Sequence, residues 1–138
     1  MKLVRGDDFF RYSDFPWFAS DVLVLRPNAV DALAPHLEGV GELLALDVVG
    51  DELYALHIFQ ELDALDVSAS TIELGLHGDI MWVDQYVMRP EALHDPFAFE
   101  LPQLTPSPIF VDEEFVACVE RAGLEGLEFP IAWTDDPE

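Results

Sequence analysis

Histidines and a single cysteine are the residues of this chain best suited to metal binding or nucleophilic chemistry. The four histidines, at positions 36, 57, 77 and 94, form no HxH, HExxH or Cys–His pattern. A metal site would need ligands from distant elements, and no spacing in the sequence indicates which residues would meet. The sequence therefore predicts no metal site and no cofactor.

Cys118 is the only cysteine, so an internal disulfide is excluded. It lies in the last predicted helix, three positions after Phe115 and directly before Val119. This setting predicts a small core residue, with no basic group beside it to lower its pKa.

Paired carboxylates are the remaining candidates for general acid–base chemistry. Asp63 and Asp66 stand together in ELDALDVS, and Asp112 precedes Glu113 and Glu114. In a chain with 28 acidic residues such pairs arise by chance, so they indicate little about catalysis. We interpret the first pair as a polar link between strands and the second group as a helix start. EF-hand, P-loop, GxGxxG and GxSxG patterns are missing from the sequence. The sequence predicts no catalytic residues and no enzyme.

Length and composition predict one folded domain over residues 1–138. Apolar residues make up 51% of the chain, enough for a substantial core. No apolar run approaches the ~20 residues that span a bilayer, and MKLVRGDDFF lacks a signal-peptide core. We therefore expect a cytoplasmic protein.

The charge is strongly one-sided, with a formal net charge of −22. Between Arg26 and Arg89 lie 62 residues with twelve Asp or Glu and no Lys or Arg. Such a field repels nucleic acid and anionic membranes and attracts basic surfaces. Three origins remain open: a basic protein partner, a halophilic source, or drift towards acidic residues for solubility.

Two similar phrases predict strand-to-helix junctions. VLVLRPNAVDAL (22–33) and QYVMRPEALHD (85–95) each place an apolar run before Arg-Pro and a helix-like segment. Pro27 and Pro90 suit the first turn of a helix. The first helix is predicted over residues 27–38, ending near Gly39, and the second is shorter. Arg26 and Arg89 are predicted to be structural, bonding carboxylates or carbonyls at the strand ends.

A third junction is predicted in PIFVDEEFVACVERAGLEGLEF (108–129). Asp112 takes the N-cap position, and Glu113 and Glu114 place negative charge at the positive end of the helix. Gly123 is predicted to close the helix.

The middle of the chain is predicted to be β-rich, which makes the fold class α+β. Strand-like runs cover residues 42–49, 52–60, 70–76 and 80–88. Gly50 and Asp51 suit a hairpin turn, and the short connections favour one mostly antiparallel central sheet, a meander with short helices. Residues 1–14 are predicted to be an irregular leading segment and residues 131–138 a frayed tail. Six aromatic residues between positions 9 and 18 are predicted to cover the core.

Several stretches together resemble a bacterial immunity-protein family of polymorphic toxin systems, formerly a domain of unknown function. They are FPWFASDVLVLRPNAVDALAPHLEGVGELLAL, the LDALD link, IMWVDQYVMRPEAL, and SPIFVDEEFVACVERAGLEGLEF. The resemblance runs from about Phe15 to Phe129, and its motifs are strand ends, helix caps and packing residues. It implies a protein that binds and neutralises a co-encoded toxin and performs no catalysis.

The charge and the resemblance together predict a basic toxin as partner, with no nucleic acid and no membrane. Acidic residues in predicted turns and links are the candidate contacts, because side chains there can reach outwards; they are Asp51, Glu52, Glu61, Asp63 and Asp66. Two alternatives from other classes remain: a small metal-dependent hydrolase using Asp, Glu and His, and an adaptor of a secretion apparatus.

Overall fold

A computed structural model describes residues 1–6, 14–15, 17–19, 22–48, 50–104 and 106–133. Its helices are α1 (Pro27–Leu33) and α2 (Glu113–Arg121), with short 3-10 turns at Ala34–His36 and Pro90–Ala92. The strands are β1 (Lys2–Leu3), β2 (Arg5–Gly6), β3 (Trp17–Ala19), β4 (Val22–Leu25), β5 (Gly41–Val48), β6 (Asp51–Ile58), β7 (Thr71–Leu74), β8 (Ile80–Gln85), β9 (Ala98–Phe99), β10 (Phe110–Val111) and β11 (Leu127–Glu128). The α+β class is confirmed.

The four predicted β-rich runs form two hairpins, but not one continuous meander. β5 and β6 belong to a four-stranded antiparallel sheet in the order β3-β4-β6-β5, whereas β7 and β8 pair in a sheet of their own. The link after β6 pairs elsewhere, because Glu61 bridges Glu100 and Leu65 bridges Met88. These bridges lead the chain away from the four-stranded sheet before β7 begins.

The turn between β5 and β6 lies one residue earlier than predicted. Val48 pairs with Asp51, so Asp51 already belongs to β6 and Gly50 lies in the turn before it. Gly50 has φ +86°, a conformation that short hairpin loops require and that glycine adopts without strain.

The first Arg-Pro junction is confirmed, with a shorter helix than predicted. β4 ends at Leu25, Arg26 is extended, and Pro27 opens α1. The α-helix stops at Leu33 and continues only as the turn Ala34–His36. Pro35 has no N–H to donate to the carbonyl one turn back, which explains the early end.

The second junction is also confirmed, again with shorter elements. β8 ends at Gln85, and Met88 is paired only through its bridge to Leu65. Arg89 is extended, with φ −91° and ψ 111°, and a 3-10 turn of three residues follows. Neither arginine lies inside a strand or a helix.

The third junction is confirmed in detail. The Asp112 carboxylate accepts a hydrogen bond from the Phe115 N–H at 3.1 Å, and Glu113 and Glu114 occupy the first turn of α2. Gly123, with φ +66°, ends the helix, and the Leu124 N–H donates back to the Val119 carbonyl. This is the hydrogen-bond pattern expected of a glycine-terminated helix.

The core has two clusters of buried side chains. The larger one packs the inner face of the four-stranded sheet, including Leu23 and Leu56, against Leu33 of α1 and Phe115 of α2. The smaller cluster lies beneath the link and the β9–β10 pair, and it contains Ala64, Leu65, Met88, Phe99, Leu101 and Phe110. Among the residues described, no helix is long and apolar enough to cross a membrane.

Both chain ends are more ordered than predicted. The leading segment contributes β1 and β2, which pair with β10 and β11. Ile131 bridges Lys2, and the N-terminal ammonium donates to the Trp133 carbonyl at 2.6 Å. The prediction of an irregular leading segment is therefore wrong for residues 2–6, and the prediction of a frayed tail is wrong for residues 131–133. Residues 134–138 lie outside the described part. Of the aromatic cluster, Phe15 is fully buried, and the other five side chains are outside the description.

Candidate partner-binding surface

The β7–β8 hairpin exposes four large apolar side chains, which we call the Trp82 surface: Leu74, Leu76, Met81 and Trp82. Their relative exposures are 59%, 101%, 69% and 62%. Isolated exposed apolar residues are ordinary, but four on one hairpin are unusual for a protein surface. Tryptophan and methionine are also enriched where proteins meet partners.

Two irregularities in the strand pairing place Met81 and Trp82 on the surface together. Trp82 pairs with Glu73 and Ile80 pairs with Leu74, which leaves Met81 without a residue opposite. A second register shift leaves Asp84 likewise without a residue opposite it in β7. An extra residue in one strand breaks the alternation of side chains and redirects them. Consecutive Met81 and Trp82 therefore both face solvent, while Val83 is buried.

Acidic residues border the Trp82 surface. Glu73, opposite Trp82, and Asp79 and Asp84 are all exposed. Since the sequence holds no Lys or Arg between positions 26 and 89, these carboxylates have no basic neighbour along the hairpin. The surface thus combines an apolar centre with a negative border.

A groove of about 660 Å³ runs along β8 beside this surface. Its lining includes Trp82, Tyr86 and Ile131, together with Leu104 and Pro108. Burial raises the pKa of the Tyr86 hydroxyl, whose ring packs edge-on against Phe110 at 5.1 Å. The groove, which Asp84 and Gln85 also line, extends the surface from the hairpin to the chain segment that follows β11.

The base of the β7–β8 hairpin is fixed by hydrogen bonds of residues 66–70, the segment that starts at the end of the LDALD link. The Ser70 hydroxyl donates to the Val87 carbonyl at 3.2 Å and accepts from the Val87 N–H at 2.9 Å. The Asp66 carboxylate accepts from the Ser68 hydroxyl at 2.9 Å and from the Ala69 N–H at 3.1 Å. The hydrogen bond from Ser68, followed by that from Ala69, lowers the pKa of Asp66. The Asp66 side chain therefore shapes the turn that enters β7.

Asp63 is likewise engaged within the molecule. Its carboxylate lies 3.0 Å from the Arg89 guanidinium and accepts from the Gln103 amide at 2.6 Å. Arg89 also donates to the Asp63 carbonyl, and its own N–H bonds the Ala64 carbonyl at 2.7 Å. Arg89 was predicted to bond a carboxylate or carbonyls where the strand ends; it bonds both kinds of group, but four residues after the end of β8. For Arg26, the backbone N–H donates to the Asp14 carbonyl at 2.9 Å.

The five acidic residues predicted to contact a partner do not form one patch. Asp51 and Glu52 lie at the β5–β6 turn, whereas Glu61, Asp63 and Asp66 follow the opposite end of β6. At about 3.3 Å per residue, the eight-residue strand β6 separates these groups by roughly 25 Å. Glu52 is exposed and accepts a hydrogen bond from the Tyr54 hydroxyl at 2.7 Å. Glu61 is exposed, and the side chain of Asp51 lies outside the described part.

Sequence reasoning missed the Trp82 surface. The run IMWVDQYVM predicts one regular strand, in which exposed and buried side chains would alternate. The available signal was the pair Met81–Trp82, because two consecutive large apolar residues cannot both face the core of a regular strand.

Cys118 is buried, as predicted, but it has basic neighbours. Its sulfur lies 3.4 Å from His36 Nε2 and 3.6 Å from Arg121 Nη2. The expectation of no basic group was wrong because Arg121 is three residues further along the same helix, where side chains meet. Burial, and then the charge of Glu114, raise the pKa of the Cys118 thiol, and the opposing effect of Arg121 is smaller.

Comparison with known proteins gives one family. No curated protein sequence matches the chain. The sequence profile of the immunity protein family (Imm11) matches residues 47–132, which include β6, the Trp82 surface, the LDALD link and α2. The match covers more than half of the chain, although it leaves out residues 15–46, to which the resemblance extended. The chain belongs to the immunity protein family Imm11.

Proposed function

We propose that this protein binds a cognate toxin and neutralises it, and that the toxin presents a basic contact face. Membership of the immunity protein family is the observation that carries the first part of the proposal. The second part rests on the net charge of −22 and on the distribution of that charge over the surface.

The acidic residues of the long span without Lys or Arg are available to a partner. Of the twelve acidic residues between Arg26 and Arg89, ten are exposed; they are Asp31, Glu38, Glu42, Asp47, Glu52, Glu61, Asp63, Glu73, Asp79 and Asp84. A negative field of this kind steers a basic protein into encounter and raises its association rate. An acidic inhibitor can also cover a basic cleft that would otherwise receive the toxin's substrate.

The Trp82 surface is the best-supported centre of the contact. A standard interface buries about 1,600 Å² in total, with a few fully desolvated apolar residues at its centre and polar groups at its edge. Trp82 and Met81 supply such apolar residues, and Glu73, Asp79 and Asp84 supply the edge. The side chains are held in place by a hairpin whose base, at Val87, is hydrogen-bonded to Asp66 and Ser70.

The predicted acidic contacts divide into two roles under this proposal. Asp51 and Glu52, in the four-stranded sheet, and Glu61, after β6, act mainly by attracting the toxin over a distance. Asp63 and Asp66 are used within the molecule, so they support the hairpin and take part in the contact only at its edge.

Co-expression tests the proposal. The protein is produced together with the product of the neighbouring reading frame, and growth, complex formation and toxin activity are measured. We expect rescue of growth and a complex of the two proteins that survives purification. Failure of every neighbouring product to bind, or turnover of a substrate by the isolated protein, would contradict the proposal. The second result would favour the hydrolase alternative.

A further inference from the structure

His36, Glu114 and Cys118 bring three metal-binding atoms together on the side of the molecule formed by the two helices. The Cys118 sulfur lies 3.4 Å from His36 Nε2 and 3.7 Å from Glu114 Oε1. All three donor atoms lie within 4.8 Å of one another. Cys118 is buried, and His36 and Glu114 are exposed, so an ion can reach the cluster from solvent.

The secondary structure holds each of these side chains in position. Glu114 and Cys118 are four residues apart on α2, which places both on the same helix face. His36 ends the 3-10 turn after α1, and its ring stacks on Phe97 with centroids 5.0 Å apart and an angle of 17°. The stacking orients the imidazole so that Nε2 points at the sulfur.

We propose that His36, Glu114 and Cys118 bind one transition-metal ion of the Zn²⁺ type. Zinc–ligand bonds of about 2.0–2.3 Å in a tetrahedral arrangement separate neighbouring ligand atoms by roughly 3.5 Å. The two distances from the sulfur, 3.4 and 3.7 Å, match this separation. Thiolate, imidazole and carboxylate donors together favour Zn²⁺ over Mg²⁺ or Ca²⁺, which prefer oxygen ligands alone. The fourth position faces solvent and takes water.

Metal binding releases the proton of the Cys118 thiol and moves the Arg121 guanidinium away from Glu114. The thiol releases its proton to solvent when the sulfur binds the ion, because thiolate is the form that coordinates. Arg121 now donates to Glu114 Oε1 at 3.1 Å, the same oxygen that faces the cluster. The Arg121 side chain is 65% exposed, so it can turn into solvent when the ion takes its place.

A bound ion links the turn Ala34–His36 to α2, although His36 and Cys118 are 82 residues apart in the chain. This separation explains why sequence spacing predicted no metal site: short ligand spacings of the kind found in zinc fingers are missing. The expected consequence is a structural clamp between the two helical segments, independent of the Trp82 surface.

The test uses the metal-free full-length protein, prepared by chelation, and titrates it with Co²⁺ followed by Zn²⁺. We expect one Co²⁺ per chain, a sulfur-to-cobalt charge-transfer band in the near ultraviolet, displacement by Zn²⁺, and a higher melting temperature with Zn²⁺ bound. Cys118→Ser should abolish the band. His36→Gln should raise the Kd for the metal at least about tenfold. Loss of a residue that only hydrogen-bonds to a metal ligand commonly lowers metal affinity by that factor.

Two further variants separate a built site from incidental binding. His57→Gln is the matched control, because His57 and Glu42 form an exposed histidine–carboxylate pair elsewhere, with the atoms 3.2 Å apart; it should leave Kd unchanged. Arg121→Gln should tighten binding, because it frees Glu114 and removes a positive charge. The proposal is overturned if no thiolate band forms, or if His36→Gln binds as tightly as the parent. Neither result bears on toxin binding, which the co-expression experiment tests separately.

Discussion

The Arg89 guanidinium lies 3.0 Å from the Asp63 carboxylate and also donates to the Asp63 carbonyl, so the segment that follows β8 is tied to the link before β7. We expect Arg89→Met to lower the free energy of unfolding by about 1 kcal/mol, mainly through the bond to the carbonyl. The exposed ion pair itself contributes little.

Asp63→Asn is the control for this pair, because it removes the charge and leaves the carbonyl bond. Asp63→Asn should therefore lower the free energy of unfolding, measured with urea, clearly less than Arg89→Met does. Equal losses for the two variants would mean that the ion pair, and not the carbonyl bond, supplies the stabilisation.

Asp112 joins the start of α2 to the segment before β9. One carboxylate oxygen accepts from the Phe115 N–H at 3.1 Å and the other from the Phe97 N–H at 3.0 Å. We expect Asp112→Ala to cost about 1–2 kcal/mol in the free energy of unfolding, as for other helix caps. Asp112→Asn keeps one accepting oxygen, so its melting temperature should lie between those of the parent and of Asp112→Ala. If Asp112→Ala is as stable as the parent, the capping role is contradicted.

The lowered pKa of Asp66 predicts a pH effect of defined sign. Its ionised form is favoured in the folded protein, chiefly by the Ser68 hydroxyl. The stabilisation is therefore present above the pKa of the unfolded chain and is lost as pH falls through the folded pKa. Ser68→Ala should raise the Asp66 titration midpoint, followed by carboxyl NMR shifts. An unchanged midpoint in this variant would show that Ser68 is not the cause.

The Trp82 surface should dominate toxin affinity. We expect Trp82→Ala combined with Met81→Ala to weaken binding at least about 30-fold, because central aromatic anchors commonly cost 2 kcal/mol or more. Both side chains are exposed, so the melting temperature should stay near that of the parent. Leu44→Ala is the matched control, since Leu44 is 48% exposed on β5 in a different sheet. If Leu44→Ala weakens binding and the double variant does not, the contact lies on the four-stranded sheet.

The acidic field should act on the rate of association. We expect the association rate with the toxin to fall as ionic strength rises, and to fall at low salt when Asp51, Glu52 and Glu61 are neutralised together to Asn and Gln. Stopped-flow fluorescence measures both. A halophilic origin predicts instead that the isolated protein unfolds at low salt. A rate independent of salt, with neutralised variants that still protect, would assign the acidity to solubility.

The sequence by itself determined the features that depend on neighbouring residues. Asp112, the two glutamates after it and Gly123 define α2 because capping involves groups within one or two turns. Pro27 and Pro90 mark the two junctions because a fixed φ and a missing N–H act on their own segment. The charge of −22 and the lack of known catalytic motifs also follow from composition and spacing alone.

Only the tertiary structure decided which distant residues meet and which side chains remain exposed. The link after β6 pairs with Glu100 and Met88, so two hairpins that are consecutive in sequence belong to different sheets. Register shifts between β7 and β8 expose Met81 and Trp82 together, and strand register depends on the partner strand as much as on the strand itself. His36 reaches Cys118 because α1 and α2 pack against each other, a contact that no local pattern encodes.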